Sequence, residues 1–217
     1  MWPWNLRRDR IRPSSPVFET CWKIRTRIEP VLAGKTCPVL TVISAGKGEG
    51  KTTTAVNLAC TYAQQDKNVL LIDGNLRNPA LHKVFDVSNR SGMCNLWSDR
   101  GDKGDIVRCS KIPRLALTTS GTYPVDPIEL LTSGRIPAFL NAVRREFDLI
   151  VIDTPAALKW SDAHILASLG DGALLVVKEG RVRKEAALRL KTEMEQIRVD
   201  IVGAVFHQAH RRRTAIG

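Results

Sequence analysis

Long apolar runs are missing from this 217-residue chain. None approaches the roughly 18 residues that a membrane-spanning helix needs, and the first eight residues lack the apolar stretch of a secretory signal. The five cysteines are odd in number and form no CxxC pair, so neither a disulfide framework nor a zinc site is indicated. Repeats and low-complexity tracts are also absent. Together these absences predict a cytoplasmic protein with reduced thiols.

Acidic residues are too few to balance the basic ones. The chain has 33 Lys+Arg against 22 Asp+Glu, a formal net charge of +11. Such an excess ordinarily favours nucleic acid or an anionic membrane surface as partner. However, residues 1–36 and 181–217 each carry a net charge of +5, whereas residues 37–180 carry +1. We therefore divide the chain into a basic N-terminal arm and helix, residues 1–36, and one domain over residues 37–217.

Short apolar, β-branched segments alternate with segments of helical spacing. The predicted strands cover residues 38–44, 68–72, 115–119, 148–152, 173–178 and 201–206. The predicted helices cover residues 17–31, 52–65, 136–146 and 184–197. Near-continuous apolar strands separated by helices predict a mostly parallel sheet covered on both faces. The fold class is therefore α/β and doubly wound, with ligands at the carboxyl ends of the strands.

A glycine-rich loop, SAGKGEGKTT at residues 44–53, separates the first strand from the first long helix. Its glycines let successive backbone N–H groups turn inward, and the helix N-terminus adds a positive dipole end. Lys51 can reach the β- and γ-phosphates of a nucleotide, and the Thr52 hydroxyl can ligate Mg²⁺. Ala45 stands where the usual pattern has glycine. The residues predicted to bind the nucleotide here are Gly46, Lys47, Gly48, Glu49, Gly50, Lys51, Thr52 and Thr53.

Two aspartates end predicted strands, Asp73 after LLI and Asp153 after LIVI. Both carboxylates should therefore lie at the carboxyl edge of the sheet, facing the phosphate loop. Mg²⁺ prefers such hard oxygen ligands. A strand-ending aspartate is also common as a helix cap, and that interpretation stays open for each one taken alone. Their joint occurrence beside a phosphate loop favours a metal site formed by Thr52, Asp73 and Asp153.

These segments resemble the motifs of bacterial tyrosine kinases from capsule and exopolysaccharide systems, a family of deviant P-loop ATPases. The family's phosphate loop reads S-A-x-P-G-E-G-K-[ST]-T, which residues 44–53 match with Lys47 in place of proline. Its second motif, L-I-D-A-D-L-R-x-P, is similar to LIDGNLRNP at residues 71–79. Its third, Y-D-x-V-I-I-D-T-P-P followed by D-A, resembles FDLIVIDTPA at residues 147–156, with Asp-Ala at 162–163.

The resemblance extends over about residues 17–207, because GTYPVDPIELL at residues 121–131 looks like the family's G-x-x-P-P-N-P-x-E-L-L. Cell-division and chromosome-partitioning ATPases are the nearest relatives to separate from it. They carry an additional signature lysine five positions before the phosphate-loop lysine, and that position is Gly46 in this chain. Their second motif also lacks the L-R-x-P ending. The kinase family is therefore favoured, with the partitioning type as an alternative.

The resemblance implies an enzyme that binds Mg·ATP and transfers the γ-phosphate to a tyrosine of a protein substrate. Lys51 would then neutralise charge on the transferring phosphoryl group, and Thr52 would hold Mg²⁺. Asp73 would bind metal or orient the acceptor hydroxyl, and Asp153 would complete the metal shell. The same resemblance places Arg77 at the cofactor. Lys51, Asp73 and Asp153 are thus the predicted catalytic residues, in a reaction that depends mostly on positioning and electrostatics.

Family members without membrane segments depend on a separate membrane-anchored adaptor. The resemblance therefore implies such an activator, recruitment to the inner face of the cell membrane, and a role in capsule or exopolysaccharide synthesis. Residues 2–12 combine two tryptophans with four arginines, which suits an anionic membrane surface, although a solvated arm explains them equally well. No DNA-recognition module is visible, so nucleic acid is disfavoured as a partner.

Two departures from the family pattern bear on phosphate transfer. Asn75 occupies the second acidic position of the second motif, and an amide cannot act as a base or lend charge to Mg²⁺. The family's C-terminal tyrosine cluster is missing, since the chain has only Tyr62, expected in the core, and Tyr123, in a proline-flanked loop. Autophosphorylation on a tail is therefore not expected. The alternative function is a nucleotide-binding regulator that changes its association with a partner without tyrosine transfer.

Two further departures concern assembly and base recognition. The family's ring-forming E-x-x-R-x-x-R corresponds here to Glu19, Trp22 and Arg25. An indole cannot make the bidentate contact of a guanidinium, so homo-oligomerisation is expected to be weakened or to depend on apolar contact. His207 stands where an asparagine often lies near the adenine, but an ordinary interior or surface histidine is the simpler interpretation.

Overall fold

The computed structural model describes residues 16–97, 106–122 and 126–208, with side chains from residue 19 onward. The aromatic and basic residues 2–12, Tyr123 and the arginines at 211–213 lie outside these ranges. The predictions made for them stay predictions. The five cysteines are all within the described ranges, and each is a free thiol.

Within the described residues, one sheet contains seven strands: β1 (Val39–Ile43), β2 (Val69–Asp73), β3 (Arg108–Cys109), β4 (Leu115–Thr118), β5 (Leu149–Asp153), β6 (Gly172–Lys178) and β7 (Ile201–His207). Their order across the sheet is β3-β4-β2-β5-β1-β6-β7. All neighbouring strands run parallel except β3, which is antiparallel to β4. Strand β1 therefore lies inside the sheet, and the phosphate loop that follows it begins between the ends of β5 and β6.

The helices are α1 (Pro16–Leu32), α2 (Lys51–Ala63), α3 (Leu81–Phe85), α4 (Pro127–Thr132), α5 (Arg135–Val143), α6 (Asp162–Ser168) and α7 (Lys184–Gln196), with a 3₁₀ helix at Met93–Trp97. The four helices predicted from the sequence are confirmed as α1, α2, α5 and α7. None of the helices in the described ranges is both long enough and apolar enough to cross a membrane.

The strands are apolar on both faces because both faces of the sheet are covered. On β2, Val69 and Leu71 belong to the core cluster that includes Leu58 of α2, whereas Leu70 and Ile72 belong to the opposite cluster, which includes Phe139 of α5. All four β2 side chains are fully buried, and burying such a side chain stabilises the fold by roughly 1.5–3 kcal/mol. The predicted doubly wound α/β fold is confirmed.

Helix α1 packs against α2 and β7. Ile28 is 1% exposed and is part of the core cluster on that face of the sheet. The Arg25 guanidinium lies 5.0 Å from the ring centre of Trp22 and 4.8 Å from that of Tyr62, and its Nε donates a 2.7 Å hydrogen bond to Glu29. Tyr62 is buried, as predicted. The division of the chain at residue 36 stays a prediction, with α1 held on the domain by these contacts.

Several elements were not predicted because their sequence signals are short. Helices α3, α4 and α6 have five to seven residues each, too few for a periodic apolar pattern to show. Strand β3 has only two residues. The helix predicted over residues 136–146 ends earlier, at Val143.

Candidate nucleotide-binding site

The phosphate loop leaves β1 at Ile43 and ends where α2 begins at Lys51. Gly48 and Gly50 have φ angles of +81° and +104°, a region that other residues enter only with strain. The loop therefore requires glycine at both positions. Gly50 is also the N-cap of α2, and its carbonyl accepts the first helical hydrogen bond, from the Thr54 N–H at 2.8 Å.

The Lys51 side chain turns back into the loop. Its Nζ donates to the Ser44 hydroxyl at 2.7 Å and to the Gly46 carbonyl at 3.1 Å. Burial lowers the pKa of this ammonium, while the nearby carboxylates of Asp153 and Glu49 oppose that shift. The partner Ser44 was not singled out from the sequence, although it opens the motif. These two hydrogen bonds hold the lysine side chain within the loop.

Glu49 forms a hydrogen bond across the phosphate loop. Its carboxylate accepts a hydrogen bond from the Gly46 N–H, and its Oε2 atom has no partner among the described residues. The side chain is buried, and burial raises its pKa. Lys47, by contrast, is exposed at the tip of the loop. The predicted nucleotide contacts of these two residues remain predictions.

Thr52 and Asp153 are in direct contact. The Thr52 hydroxyl donates a 2.6 Å hydrogen bond to Asp153 Oδ2, whereas Asp153 Oδ1 is buried without a partner in the described part of the chain. Burial raises the pKa of Asp153 to about 7, with the charge of Asp73 acting in the same direction and Thr52 and Lys51 opposing it. A buried carboxylate oxygen without a hydrogen-bond donor is rare in folded proteins because it is destabilising. A bound cation would remove this destabilisation.

These oxygens fit Mg²⁺. Hydroxyl and carboxylate oxygens are the ligands that this ion takes, usually alongside phosphate oxygens and water. The described residues hold no group of three or more His, Cys, Asp or Glu side chains arranged as a metal site. The ion would therefore depend on the nucleotide phosphates for its remaining ligands, which is how Mg²⁺ is held in phosphate-loop proteins.

Asp73 has a different environment from Asp153. Its Oδ2 accepts hydrogen bonds from the Ala80 and Leu81 N–H groups, both at 2.9 Å, and its Oδ1 accepts from the Asn75 N–H at 3.3 Å. The carboxylate thus anchors the start of α3, the capping role that the sequence left open. Burial raises the pKa of Asp73 to about 6, although the three N–H groups lower it. Its predicted roles in metal binding and catalysis stay predictions.

The Arg77 guanidinium forms an ion pair with a buried acidic side chain. It donates to Asp162 in a two-pronged contact, Nε to Oδ2 at 2.8 Å and Nη2 to Oδ1 at 3.1 Å. It also lies 4.0 Å from the ring centre of Trp160. The hydrogen bond to Asp162 raises the pKa of Arg77. This contact joins the second motif to the third, and a contact of Arg77 with nucleotide remains a prediction.

His207 ends β7 against the phosphate loop. Its Nε2 lies 3.0 Å from the Thr54 hydroxyl, and its ring would be 2.9 Å from a Cβ placed on Gly50. Burial lowers the pKa of this imidazole, with Lys178 acting in the same direction. Together with Cys21, Ile24 and Val205, among others, His207 lines a cavity of about 240 Å³. Its contact with the loop was not expected from the sequence.

Known proteins match this chain in sequence and fold. Residues 38–200 match a family described as an AAA domain. The tyrosine-protein kinase YwqD of Bacillus subtilis (strain 168) is 35% identical over 195 residues, which cover 90% of this chain and 82% of YwqD. The chain belongs to the bacterial tyrosine-kinase family of the capsule and exopolysaccharide type. The kinase domain of Escherichia coli tyrosine kinase ETK aligns with a TM-score of 0.89 at 26% identity, covering 100% of this chain and 86% of that one.

The cell-division ATPases share the fold more distantly. The septum site-determining protein MinD of Pyrococcus horikoshii OT3, complexed with Mg-ADP, aligns with a TM-score of 0.68 at 19% identity over 78% of this chain. At that identity the likeness concerns the fold alone. The resemblance to the tyrosine kinases is confirmed, and so is the P-loop class of the fold.

Proposed function

We propose that this protein is an ATP-dependent protein-tyrosine kinase of capsule or exopolysaccharide biosynthesis, which binds Mg·ATP at residues 44–53 and transfers the γ-phosphate to tyrosine. The contact between Thr52 and Asp153 is the observation that carries the proposed Mg·ATP binding, whereas the proposed transfer to tyrosine depends on the similarity to named tyrosine kinases. This contact brings a hydroxyl and a carboxylate with one open oxygen to the N-terminus of α2, where the loop would present its N–H groups to phosphate.

The chain's own residues would act mainly by positioning. Lys51 would exchange its bonds to Ser44 and Gly46 for phosphate oxygens, and Thr52 would exchange its bond to Asp153 for the metal. Bound Mg²⁺ would offset the negative charge of the phosphates. Asp73 would keep the second motif in place through its hydrogen bonds to the start of α3. Direct contact of Asp73 with metal or acceptor hydroxyl is part of the same proposal.

We further propose a membrane-anchored adaptor as activator, with recruitment to the inner face of the cell membrane. This part depends on the resemblance to the family and on the unusual composition of residues 2–12. A deletion strain should then produce polysaccharide of altered chain length. Unchanged polysaccharide size would count against the proposed pathway, and it would leave the enzymatic proposal intact.

A nucleotide-binding regulator without tyrosine transfer is the second candidate. Asn75 favours it, because its side-chain oxygen accepts the Asn78 N–H at 3.3 Å and an amide offers no base for the acceptor hydroxyl. In this case ATP binding or slow hydrolysis would alter the association with the adaptor. Both candidates use the same phosphate loop, so only transfer of phosphate separates them.

Incubation of the purified protein with γ-labelled ATP, Mg²⁺ and a tyrosine-bearing protein substrate separates the two candidates. The kinase proposal predicts labelled tyrosine, with loss in Lys51→Met and in Asp153→Asn. Lys111→Met is a matched control, because this side chain is 80% exposed and its nearest acid is 4.0 Å away. Clear ATP binding with no labelled tyrosine would refute the kinase proposal and support the regulator.

A further inference from the structure

Arg181 lies beside the phosphate loop, although it follows β6 and is 130 residues from Lys51 in sequence. It belongs to the turn between β6 and α7, where its backbone N–H donates to the Lys178 carbonyl at 3.1 Å. A Cβ placed on Gly48 would be 3.7 Å from Arg181 Nη1 and 4.0 Å from its Cζ. The guanidinium therefore rests against the rim of the loop, at a position with no side chain of its own.

Two other cations near this edge are already engaged, whereas Lys47 is exposed at the tip of the loop itself. Lys51 donates to Ser44 and Gly46, and Arg77 is paired with Asp162. Arg181 is exposed, and within residues 16–97, 106–122 and 126–208 its guanidinium forms neither a hydrogen bond nor an ion pair. It is thus a cation held at the loop by the backbone turn, with its hydrogen-bonding capacity unused.

We propose that the Arg181 guanidinium binds the phosphate groups of the nucleotide held by the loop. This inference rests on the proposed nucleotide site and does not require tyrosine transfer. Arginine suits the position because its planar fork can donate two hydrogen bonds to one phosphate, and it keeps its charge at any physiological pH. The turn after β6 is at the same sheet edge as the loop, because β1 and β6 are parallel neighbours, so the side chain lies at the edge where nucleotide phosphates would bind.

The test compares Arg181→Ala with Arg183→Ala by direct measurement of the affinities for Mg·ATP and Mg·ADP. Both arginines are exposed, they are two residues apart, and their removal changes the net charge equally. Arg183 is the N-cap of α7 but makes no side-chain capping hydrogen bond. We expect Arg181→Ala to weaken Mg·ATP binding about tenfold, and Arg183→Ala to change it less than about twofold. Arg181→Lys should recover part of the loss, since it restores the charge without the fork.

The outcomes distinguish this inference from the proposed function. Equal affinities in Arg181→Ala and Arg183→Ala would overturn it, whether both match the unmodified protein or both fall together. A selective loss in Arg181→Ala would support it even if the protein labels no tyrosine. If the unmodified protein binds neither Mg·ATP nor Mg·ADP, both the inference and the proposed function are refuted. The unfolding temperature without nucleotide should be the same for the two variants, which excludes a folding defect as the cause.

Discussion

The hydroxyl of Thr52 and the carboxylate of Asp153 are 2.6 Å apart, although 101 residues separate them in sequence. The contact joins the first turn of α2 to the last residue of β5. It satisfies one carboxylate oxygen of Asp153 and leaves the other buried without a donor among the described residues. The fold itself therefore brings together two side chains that we propose as Mg²⁺ ligands.

Substitution of Thr52 should separate the role of its hydroxyl from that of its bulk. Thr52→Val keeps the branched shape and removes the oxygen, so we expect Mg²⁺-dependent ATP affinity to fall at least tenfold, which corresponds to about 1.4 kcal/mol. Thr52→Ser keeps the oxygen and should retain most of the affinity. Isothermal titration calorimetry with and without Mg²⁺ measures both. Equal affinities of the two variants in the presence of Mg²⁺ would argue against a metal ligand at this position.

Asp73 should make the nucleotide-free protein less stable as the pH rises. Burial raises its pKa from 3.8 to about 6, so the folded state holds a proton that the unfolded state has lost. The stabilisation is complete below the unfolded pKa and disappears as the pH rises through the folded pKa. The free energy of unfolding should therefore fall by about 3 kcal/mol as the pH rises from roughly pH 4 to above pH 6.

Urea unfolding tests this pH dependence when the unmodified protein and Asp73→Asn are compared without nucleotide. The measurements run from pH 4.5 to pH 7.5, roughly the window given by the two pKa values. The amide introduced by this substitution could still accept the Ala80 and Leu81 N–H groups through its oxygen, but it does not titrate. We expect the variant to lose less stability over the window than the unmodified protein. Parallel curves for the two proteins would show that Asp73 does not carry the raised pKa.

Arg77→Lys should destabilise the domain through Asp162. The Asp162 side chain is fully buried, and a lysine can neither make the two-pronged contact nor stack on Trp160 in the same way. We expect a loss of about 2–4 kcal/mol in the free energy of unfolding, because a buried carboxylate is left poorly paired. Measurement of Mg·ATP affinity in this variant also tests whether Arg77 contacts nucleotide.

Arg114→Lys is the matched control for that substitution. Arg114 Nε lies 3.1 Å from the Asp66 carboxylate, but the two side chains are 46% and 88% exposed. An ion pair in that setting is expected to contribute less than about 1 kcal/mol. Similar losses of stability in the two variants would contradict the importance of the buried contact.

Gly50→Ala should destabilise the loop for two reasons that can be separated. Alanine is strained at a φ of +104°, and its Cβ would be 2.9 Å from the His207 ring. Gly134→Ala is the control for backbone strain alone, because Gly134 has a φ of +76° and nothing lies within 4 Å of the added Cβ. We expect this control to lower the free energy of unfolding by about 1 kcal/mol. We expect a larger loss in Gly50→Ala.

Addition of His207→Ala should recover part of that loss. In a double-mutant cycle on unfolding free energies, the two substitutions should couple by about 0.5–2 kcal/mol, because the smaller side chain makes room for the new methyl group. Purely additive effects would mean that the loop relaxes away from β7 without resistance.

The sequence predicted the long helices and strands of the fold because their apolar residues recur with a period that the sequence shows directly. The four long helices and six of the strands are where their patterns place them. Strand β3 and helices α3, α4 and α6 are stabilised by tertiary contacts instead. Helix α3, for example, begins where the Asp73 carboxylate accepts two N–H groups, and no local pattern of five residues encodes that contact.

The candidate site, like the fold, has parts that the sequence predicts and parts that it does not. The loop and the two strand-ending aspartates were predictable because motif and topology place them at one sheet edge. The different environments of these aspartates were not, since they depend on which N–H groups each carboxylate meets. Arg181 and the contact of His207 with Thr54 were missed because they approach the loop from β6 and β7, far along the chain, with no recognisable spacing.

Asp73 and Asp153 face each other as paired residues on β2 and β5, so two buried carboxylates share one rung of the sheet. Burial and the charge of Asp73 raise the pKa of Asp153 to about 7, so this carboxyl is expected to hold a proton for part of the time close to neutral pH. A cation that arrives at this edge would compete with that proton and release it into the buffer. The heat of nucleotide binding should then vary with the ionisation enthalpy of the buffer, even when the affinity does not.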